Sequence, residues 1–262
     1  MTPQVQRIET RDGHRLALDW HAARGSQRAA LFVHGLGSHR RGEKARYFAA
    51  QFNARGWNYA ALDLRGHGDS DGRVVDLTMG GMLTDMAAAV AWLRECVPAA
   101  DMVLIGSSMG AAVIAWHQLE CDPRAAPLVM IGPSLQFPSS LVAGLAPEDL
   151  AEWRRTGARR FASEWIDVEI GYRLAEDAAR YDPRELVRRL VAPTLILHGM
   201  RDTAIDWRAS TRFARDSAAP VDLFLVGDGD HRLTEHKELL FDVLWAWLAR
   251  LENSKPRSET SR

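Results

Sequence analysis

Residues 103–113 read Val103-Leu104-Ile105-Gly106-Ser107-Ser108-Met109-Gly110-Ala111-Ala112-Val113. They begin with an apolar run typical of a buried strand, and apolar residues return at helical spacing after the Gly-x-Ser-x-Gly pattern. This order predicts a strand that turns sharply into a helix with Ser108 at the corner. Gly106 and Gly110 suit such a corner, because side chains at these positions would clash where the chain passes close to itself.

Ser108 is the candidate nucleophile of the chain. A tight strand-to-helix corner holds its residue in a rarely populated backbone conformation, at a cost of about 1–3 kcal/mol. The first amide groups of the helix point towards whatever lies over this serine and favour negative charge there. The same pattern also suits an ordinary glycine- and serine-rich turn, so the decision depends on the rest of the chain.

Apolar runs alternate with amphipathic helical patterns along most of the sequence. We predict a β-hairpin over residues 4–21, followed by buried strands at residues 29–33, 59–64, 128–131, 193–197 and 221–226. Helical periodicity covers residues 44–55, 84–95, 206–217 and a final stretch that ends near Leu251. The alternation predicts an α/β fold with a mostly parallel central sheet, an N-terminal hairpin and helices on both faces.

One segment, residues 133–190, interrupts this alternation. It contains prolines at 133, 138 and 147, followed by two charged stretches that we predict to be helical and that carry Trp153, Phe161 and Trp165. The segment is too long for a plain connection, for which about 2–6 residues is usual. We therefore predict a single domain over residues 1–262 with an inserted helical lid at 133–190, and a disordered polar tail at 253–262.

Composition excludes several classes of function. The chain has 262 residues with 33 basic and 34 acidic side chains, and this balance gives no electrostatic case for binding nucleic acid. Its two cysteines, Cys96 and Cys121, are too few for a disulfide framework or a metal site, and we expect them to be buried and inert. Without an N-terminal signal core or a membrane-spanning apolar run, the expectation is a cytoplasmic protein.

Polar residues follow the predicted strands at several points. Ser108, Asp202 and His231 each come directly after a strand, and so does the sequence His34-Gly35-Leu36. Ligands of parallel sheets bind beyond the carboxyl ends of the strands, so we expect these residues to meet at one edge.

Their chemistry is complementary. A serine hydroxyl needs a base beside it, here His231, and that imidazole needs a carboxylate, here Asp202, to fix its tautomer. The oxyanion formed by an attacked carbonyl needs two amide donors, for which we predict the Met109 and Leu36 N–H groups.

Other residues of these types compete for the same roles. Asp63, Asp69 and Asp230 could each supply the acid, with Asp206 as a further candidate, but only Asp202 directly follows the penultimate strand. We interpret His34 and His198 as structural, and His67, His117 and His236 as surface or loop residues. The sequence from His231 to His236 matches neither common zinc motif, so we predict no metal and no cofactor.

Five motifs in this order resemble the α/β-hydrolase superfamily from about residue 15 to residue 250, and the serine–acid–histidine order is also that of the superfamily. The motifs are His34-Gly35-Leu36-Gly37, Asp63-Leu64-Arg65-Gly66-His67-Gly68-Asp69-Ser70, Gly106-Ser107-Ser108-Met109-Gly110, His198-Gly199-Met200-Arg201-Asp202 and Gly229-Asp230-His231-Arg232. The Gly-Ser-Ser-Met-Gly, His-Gly-Met-x-Asp and Asp-His-Arg details are similar to a branch of small carboxylesterases and palmitoyl-protein thioesterases. One departure is Ala111-Ala112, where the superfamily often has a second glycine.

The resemblance implies a serine hydrolase that cleaves a small-molecule acyl ester or thioester through an acyl-enzyme. Two alternatives remain open: a hydrolase of the same fold that acts on a C–C or amide bond, and a non-catalytic binding protein. Retention of all three residue types of the triad argues against a non-catalytic binding protein.

Overall fold

The structure is a computed structural model that describes residues 3–98, 101–122, 124 and 126–254. The strands within these residues are β1 (Gln4–Glu9), β2 (Arg15–His21), β3 (Arg28–Val33), β4 (Asn58–Leu62), β5 (Asp101–Ser107), β6 (Leu128–Ile131), β7 (Ala158–Ala162), β8 (Asp167–Gly171), β9 (Thr194–Gly199) and β10 (Val221–Val226). The α-helices are α1 (Glu43–Ala54), α2 (Met79–Cys96), α3 (Met109–Glu120), α4 (Pro147–Thr156), α5 (Tyr172–Asp177), α6 (Pro183–Arg189), α7 (Trp207–Asp216) and α8 (Lys237–Ser254).

The central sheet confirms the predicted α/β architecture. Its eight strands lie in the order β1-β2-β4-β3-β5-β6-β9-β10. Strands β1 and β2 pair antiparallel, β2 pairs antiparallel with β4, and the remaining neighbours are parallel. The strand that leads to Ser108, β5, is therefore central, and all the loops at its carboxyl end open on the same edge.

Each central strand is buried on both faces, which explains why it is apolar throughout. In β3, Leu31 belongs to the core under α2 and α3, whereas Phe32 belongs to the core under α1 and α8. Successive side chains of a strand point to opposite faces, so a sheet covered on both sides needs apolar residues at every position.

The 133–190 segment differs from its prediction in one part. Residues 147–156 form a helix, as predicted, but the second charged stretch is a two-stranded antiparallel hairpin of β7 and β8 instead of a helix. Gly157, at φ 81°, ends α4, and the following residues alternate with period two, so that Ile170 is buried while Glu169 is exposed. Alternation of this kind favours a strand, and the tryptophans around it masked the pattern.

Three further predictions are either corrected by the structure or lie partly outside the described residues. Cys96 and Cys121 are exposed rather than buried. Helix α2 begins at Met79, earlier than predicted, because the Thr78 side chain accepts a hydrogen bond from Gly81 N–H and caps the helix. Of the predicted tail, Asn253 and Ser254 are helical, and residues 255–262 lie outside the described residues. Within the described part, no helix combines the length and the apolar character needed to cross a membrane.

Candidate active site

Ser108 lies at the corner between β5 and α3 and has φ 52° and ψ −116°. This is a region that favours glycine, so the serine is held there by its surroundings at a cost of about 1–3 kcal/mol. Its N–H donates to Ile131 O at 2.8 Å, and its own carbonyl accepts from Ser134 N–H at 3.2 Å. The strained corner is thus tied to the end of the neighbouring strand β6.

The two glycines of the motif allow the corner to form. A Cβ on Gly106 would lie 2.5 Å from Gly110 O and 2.6 Å from Ala111 Cα. A Cβ on Gly110 would lie 2.5 Å from His34 O in the loop after β3. Both clashes would be with backbone atoms, which have little freedom to move, so larger residues at these positions would push the corner apart.

His231 reaches the serine from the loop that follows β10. Its Nε2 lies 3.2 Å from Ser108 Oγ, although the two residues are 123 positions apart. The loop turns through Leu233, which has φ 51°, and Leu233 N–H donates to Asp230 Oδ1 at 2.7 Å. Asp230 therefore shapes the turn that presents His231.

Asp202 completes the hydrogen-bonded chain. Its Oδ2 lies 2.8 Å from His231 Nδ1, and its Oδ1 accepts from the N–H groups of Ala204 and Ile205, both at 2.8 Å. The Asp202 side chain is fully buried. Burial by itself would raise the pKa of Asp202, but hydrogen bonds from His198, His231 and Ile205 N–H outweigh it and hold the pKa well below its usual range. The carboxylate is therefore ionised at neutral pH.

None of the other candidate acids has a hydrogen bond to His231. Asp63 and Asp69 both pair with the buried guanidinium of Arg40. Asp206 caps α7 by accepting from Arg208 N–H at 3.0 Å. The structure thus brings Ser108, His231 and Asp202 together, and it places the alternative carboxylates in structural positions.

The two predicted oxyanion donors also lie at the site. Leu36 and Met109 both line the cavity above Ser108. Within the described part of the chain, neither of their N–H groups has a hydrogen-bond partner. A Cβ on Gly35 would lie 3.1 Å from Ser108 Cβ, so the loop after β3 runs directly beside the serine. Such free amides in a close loop can bind a developing negative charge.

Two histidines form hydrogen bonds with the backbone of the loop after β3. His34 is buried, with Nε2 accepting from Leu64 N–H at 3.1 Å, and burial lowers its pKa to about 3. His67 is buried as well, so its expected surface position is wrong, and its Nε2 accepts from Gly37 N–H at 3.2 Å. His34 Nδ1 donates to Gly35 O at 2.8 Å, so one ring holds the backbone before Leu36 as a donor and the other holds the backbone after it as an acceptor.

His117 is also buried rather than at the surface, and burial lowers its pKa to about 4. It belongs to α3, beyond the site loops. Its expected surface position is wrong because α3 is buried on nearly every face, so a polar residue in this helix does not mark an exposed side.

The contact between His198 and Asp202 is one that the sequence does not predict. His198 Nε2 lies 3.0 Å from Asp202 Oδ2, the same oxygen that His231 uses. The signal was present, because His198 is the only polar side chain of the buried run 195–198 and precedes Asp202 by four residues. Its orientation could not be predicted from that spacing.

The site opens into a cavity of about 870 Å³. Part of its wall comes from the 133–190 segment, through Phe137, Leu141 and Trp165. The Trp165 ring packs edge-on against His231 with centroids 5.6 Å apart, and its Nε1 donates to Thr203 Oγ1 at 2.9 Å. No set of three His, Cys, Asp or Glu side chains within the described residues is arranged to hold a metal ion.

The eight-stranded sheet, the serine corner and the order of the site loops define an α/β-hydrolase. The family of hydrolases described as "Serine aminopeptidase, S33" matches residues 25–187, and the chain belongs to it. The structure of the alpha/beta hydrolase domain-containing protein 10 from mouse superposes with a TM-score of 0.81 at 21% identity, over 95% of this chain and 99% of that one. Est1E from Butyrivibrio proteoclasticus, bound to ferulic acid, gives a TM-score of 0.78 at 19% identity, over 93% and 99% of the two chains.

Sequence relatives agree with this assignment. The mitochondrial palmitoyl-protein thioesterase ABHD10 of Bos taurus is 24% identical over 226 residues, which cover 85% of this chain and 72% of that protein. A monoacylglycerol lipase of Mycolicibacterium smegmatis is 24% identical over 241 residues, which cover 81% and 84%. The resemblance to the α/β-hydrolase superfamily that the motifs indicated is thereby confirmed.

Proposed function

We propose that this protein is a serine hydrolase that cleaves carboxylic esters or thioesters of small molecules through an acyl-enzyme on Ser108. The observation that carries the proposal is the continuous chain of short contacts, 3.2 Å from Ser108 Oγ to His231 Nε2 and 2.8 Å from His231 Nδ1 to Asp202 Oδ2. Each member has the chemistry that the next one requires.

In the first half of the reaction, Ser108 Oγ attacks the acyl carbonyl carbon while His231 Nε2 takes the hydroxyl proton. The imidazolium that forms faces the ionised Asp202, which stabilises its charge and keeps the proton of Nδ1 in place. The carbonyl oxygen becomes an oxyanion near the Leu36 and Met109 N–H groups. Loss of one such donor costs about 2.7–4 kcal/mol of transition-state stabilisation in enzymes of this kind.

In the second half, His231 returns its proton to the leaving alcohol or thiol, and the C–O or C–S bond breaks. Water then loses a proton to the same imidazole and attacks the acyl carbon. His231 gives this proton to Ser108 Oγ as the bond between Oγ and the acyl carbon breaks, which releases the acid and restores the hydroxyl. No cofactor enters this scheme, since every proton transfer uses His231.

The proposed ester and thioester specificity is supported by the relatives, which are named as a thioesterase and a lipase. Both activities transfer an acyl group from an oxygen or sulfur leaving group. The family description, a serine aminopeptidase, favours amides as the second candidate substrate class. We also propose that the 133–190 segment is the lid over the site, since Phe137 and Trp165 form part of the cavity wall.

The test is Ser108→Ala, measured with p-nitrophenyl acetate and with acyl thioesters and amides of matched chain length. We expect the variant to lose turnover of esters and thioesters and to keep the unfolding free energy of the wild type. A fluorophosphonate probe should label the wild type at Ser108 and leave the variant unlabelled. Full turnover in the variant would contradict the assignment of the nucleophile, and absence of labelling in the wild type would favour a binding protein.

A further inference from the structure

A second histidine touches the carboxylate of the site. His198 is fully buried at the end of β9, with Nε2 at 3.0 Å from Asp202 Oδ2 and Nδ1 at 2.7 Å from Ser210 Oγ. Ser210 is itself buried, on α7. The contacts therefore continue beyond the three expected residues, from Ser210 through His198 to Asp202.

The protons in this chain can be assigned from its acceptors. Ionised Asp202 offers only lone pairs, so His198 Nε2 must carry a hydrogen to bond with it. In a neutral ring Nδ1 is then bare, and it accepts the hydrogen of the Ser210 hydroxyl. Every polar atom is satisfied in this arrangement without a buried positive charge, which would be costly.

We propose that His198, held in its Nε2–H tautomer by Ser210, is a positioning residue that sets how strongly Asp202 attracts the proton of His231. The inference rests on the proposed role of Ser108 and His231, and it goes beyond that role. Both imidazoles share Oδ2, so the bond from His198 withdraws part of the charge that Oδ2 presents to His231. It also holds the carboxylate in the rotation that faces Nδ1 of His231.

The other ionisable groups around the site form hydrogen bonds with partners other than Asp202. Asp230 accepts from Leu233 N–H in the loop of His231. On the side of α1, Lys44 donates to Arg232 O, and burial lowers its pKa to about 8, above the range in which an imidazole base titrates. From the 133–190 segment, exposed Glu164 accepts from Thr203 at 2.6 Å. Of the groups described here, only His198 shares Oδ2 with His231.

The experiment compares two substitutions in the full-length protein. His198→Leu fills the space but cannot donate, whereas His198→Gln keeps an N–H donor near the position of Nε2. We expect His198→Leu to lower kcat roughly 10–100-fold with little change in KM. We also expect the acid limb of kcat/KM to move up by about half a pH unit or more, because an unshared Oδ2 binds the proton of His231 more tightly. His198→Gln should restore both values towards the wild type.

The matched control is His117→Leu, which removes a buried histidine of α3 that is not part of the site, and its acid limb should not move. Ser210→Ala should move the limb in the same direction as His198→Leu, by less, and it serves as the second test if His198→Leu does not fold. An unchanged acid limb in both His198→Leu and Ser210→Ala, or a loss of kcat explained by the unfolded fraction, would overturn the proposal. Wild-type turnover and labelling of Ser108 in the same experiment separate this failure from a failure of the proposed function.

Discussion

The edge of the central sheet and the 133–190 segment build the site in different ways. At the sheet edge, the backbones of neighbouring loops are in direct contact. Gly110 packs against His34 O, and a Cβ on Gly199 would clash with Gly229 O and would lie 2.5 Å from Gly229 C. The 133–190 segment makes a backbone contact with the corner, from Ser134 N–H to Ser108 O, and otherwise reaches the site chiefly through side chains such as that of Trp165. Backbone contacts tolerate little change, whereas side-chain contacts can be exchanged one by one.

The segment has its own means of holding together. Its surface arginines form exposed ion pairs, such as Arg160 with Asp167, which contribute little to stability. Its anchor is buried Trp153, whose Nε1 donates to Ile170 O at 2.9 Å and whose ring packs edge-on against Phe161. Residues of the segment that face the cavity can therefore be substituted without loss of the contacts that Trp153 makes. The candidate catalytic residues therefore lie on the sheet edge, whereas the segment supplies part of the cavity wall.

The largest effect that would test this division is expected from Asp202→Asn at the sheet edge. The amide keeps the shape of the side chain but loses its charge and can favour the wrong tautomer of His231. We expect kcat to fall by roughly 10³–10⁴, measured by steady-state hydrolysis of p-nitrophenyl acetate. The control is Asp206→Asn, which retains a capping side chain on α7 and should leave kcat unchanged. Equal losses in the two variants would mean that the carboxylate is wrongly assigned.

Gly106→Ala should have the next largest effect, on stability as well as activity. Its Cβ would collide with the backbone of Gly110 and Ala111, and we expect a loss of about 3 kcal/mol in the free energy of unfolding. Urea denaturation measures this loss, and turnover per folded molecule should fall as well because Ser108 is displaced. Gly227→Ala, where no atom lies within 4 Å, is the control. Similar stability in both variants would show that the corner is looser than the structure indicates.

Acid should destabilise the protein through two buried histidines, His34 at the sheet edge and His117 on α3, whereas the 133–190 segment contains no histidine. Burial lowers the pKa of His34 to about 3 and that of His117 to about 4, whereas in the unfolded chain both titrate near about 6.5. The unfolded state therefore binds protons first as the pH falls. Stability is fully present above pH 6.5 and declines below it, by up to about 1.4 kcal/mol per pH unit for each histidine.

The measurement is urea denaturation between pH 7 and pH 5, where most carboxylates remain ionised. His117→Leu should remove up to about 1.4 kcal/mol per pH unit of the slope. An unchanged slope in that variant would mean that His117 is accessible to protons in the folded protein.

The smallest effect is expected at the segment, from Trp165→Ala. Loss of the ring enlarges the cavity beside His231, so the ratio of kcat/KM between long-chain and acetyl esters should change roughly tenfold. The free energy of unfolding should change by less than about 1 kcal/mol, since Trp165 is only half-buried. Trp245→Ala, a half-buried tryptophan on α8, is the matched control and should leave the ratio unaltered. A loss of kcat as large as that of Asp202→Asn would remove the distinction between the two regions.

Much of the sheet edge could be predicted from sequence, because its requirements are local. The Gly-x-Ser-x-Gly corner, the apolar strands and the polar residue after each strand are all expressed within a few neighbouring positions. The hairpin at β7 and β8 could not be predicted in the same way. Its five-residue strands are short, and its alternation competes with a charged, tryptophan-rich composition that also suits helices.

The sequence by itself determined the fold class, the serine corner and the set of residues that could meet at the sheet edge, because backbone conformation and strand burial constrain nearby residues directly. The structure was needed to show how the Asp202 carboxylate, which the order of the strands predicted as the acid, is rotated towards His231, and that His198 shares its Oδ2. Those contacts depend on the rotation of side chains in loops that lie far apart in the chain, as Asp202 and His231 do at a separation of 29 residues. Packing of the whole sheet is needed to set such rotations, so no local pattern could reveal them.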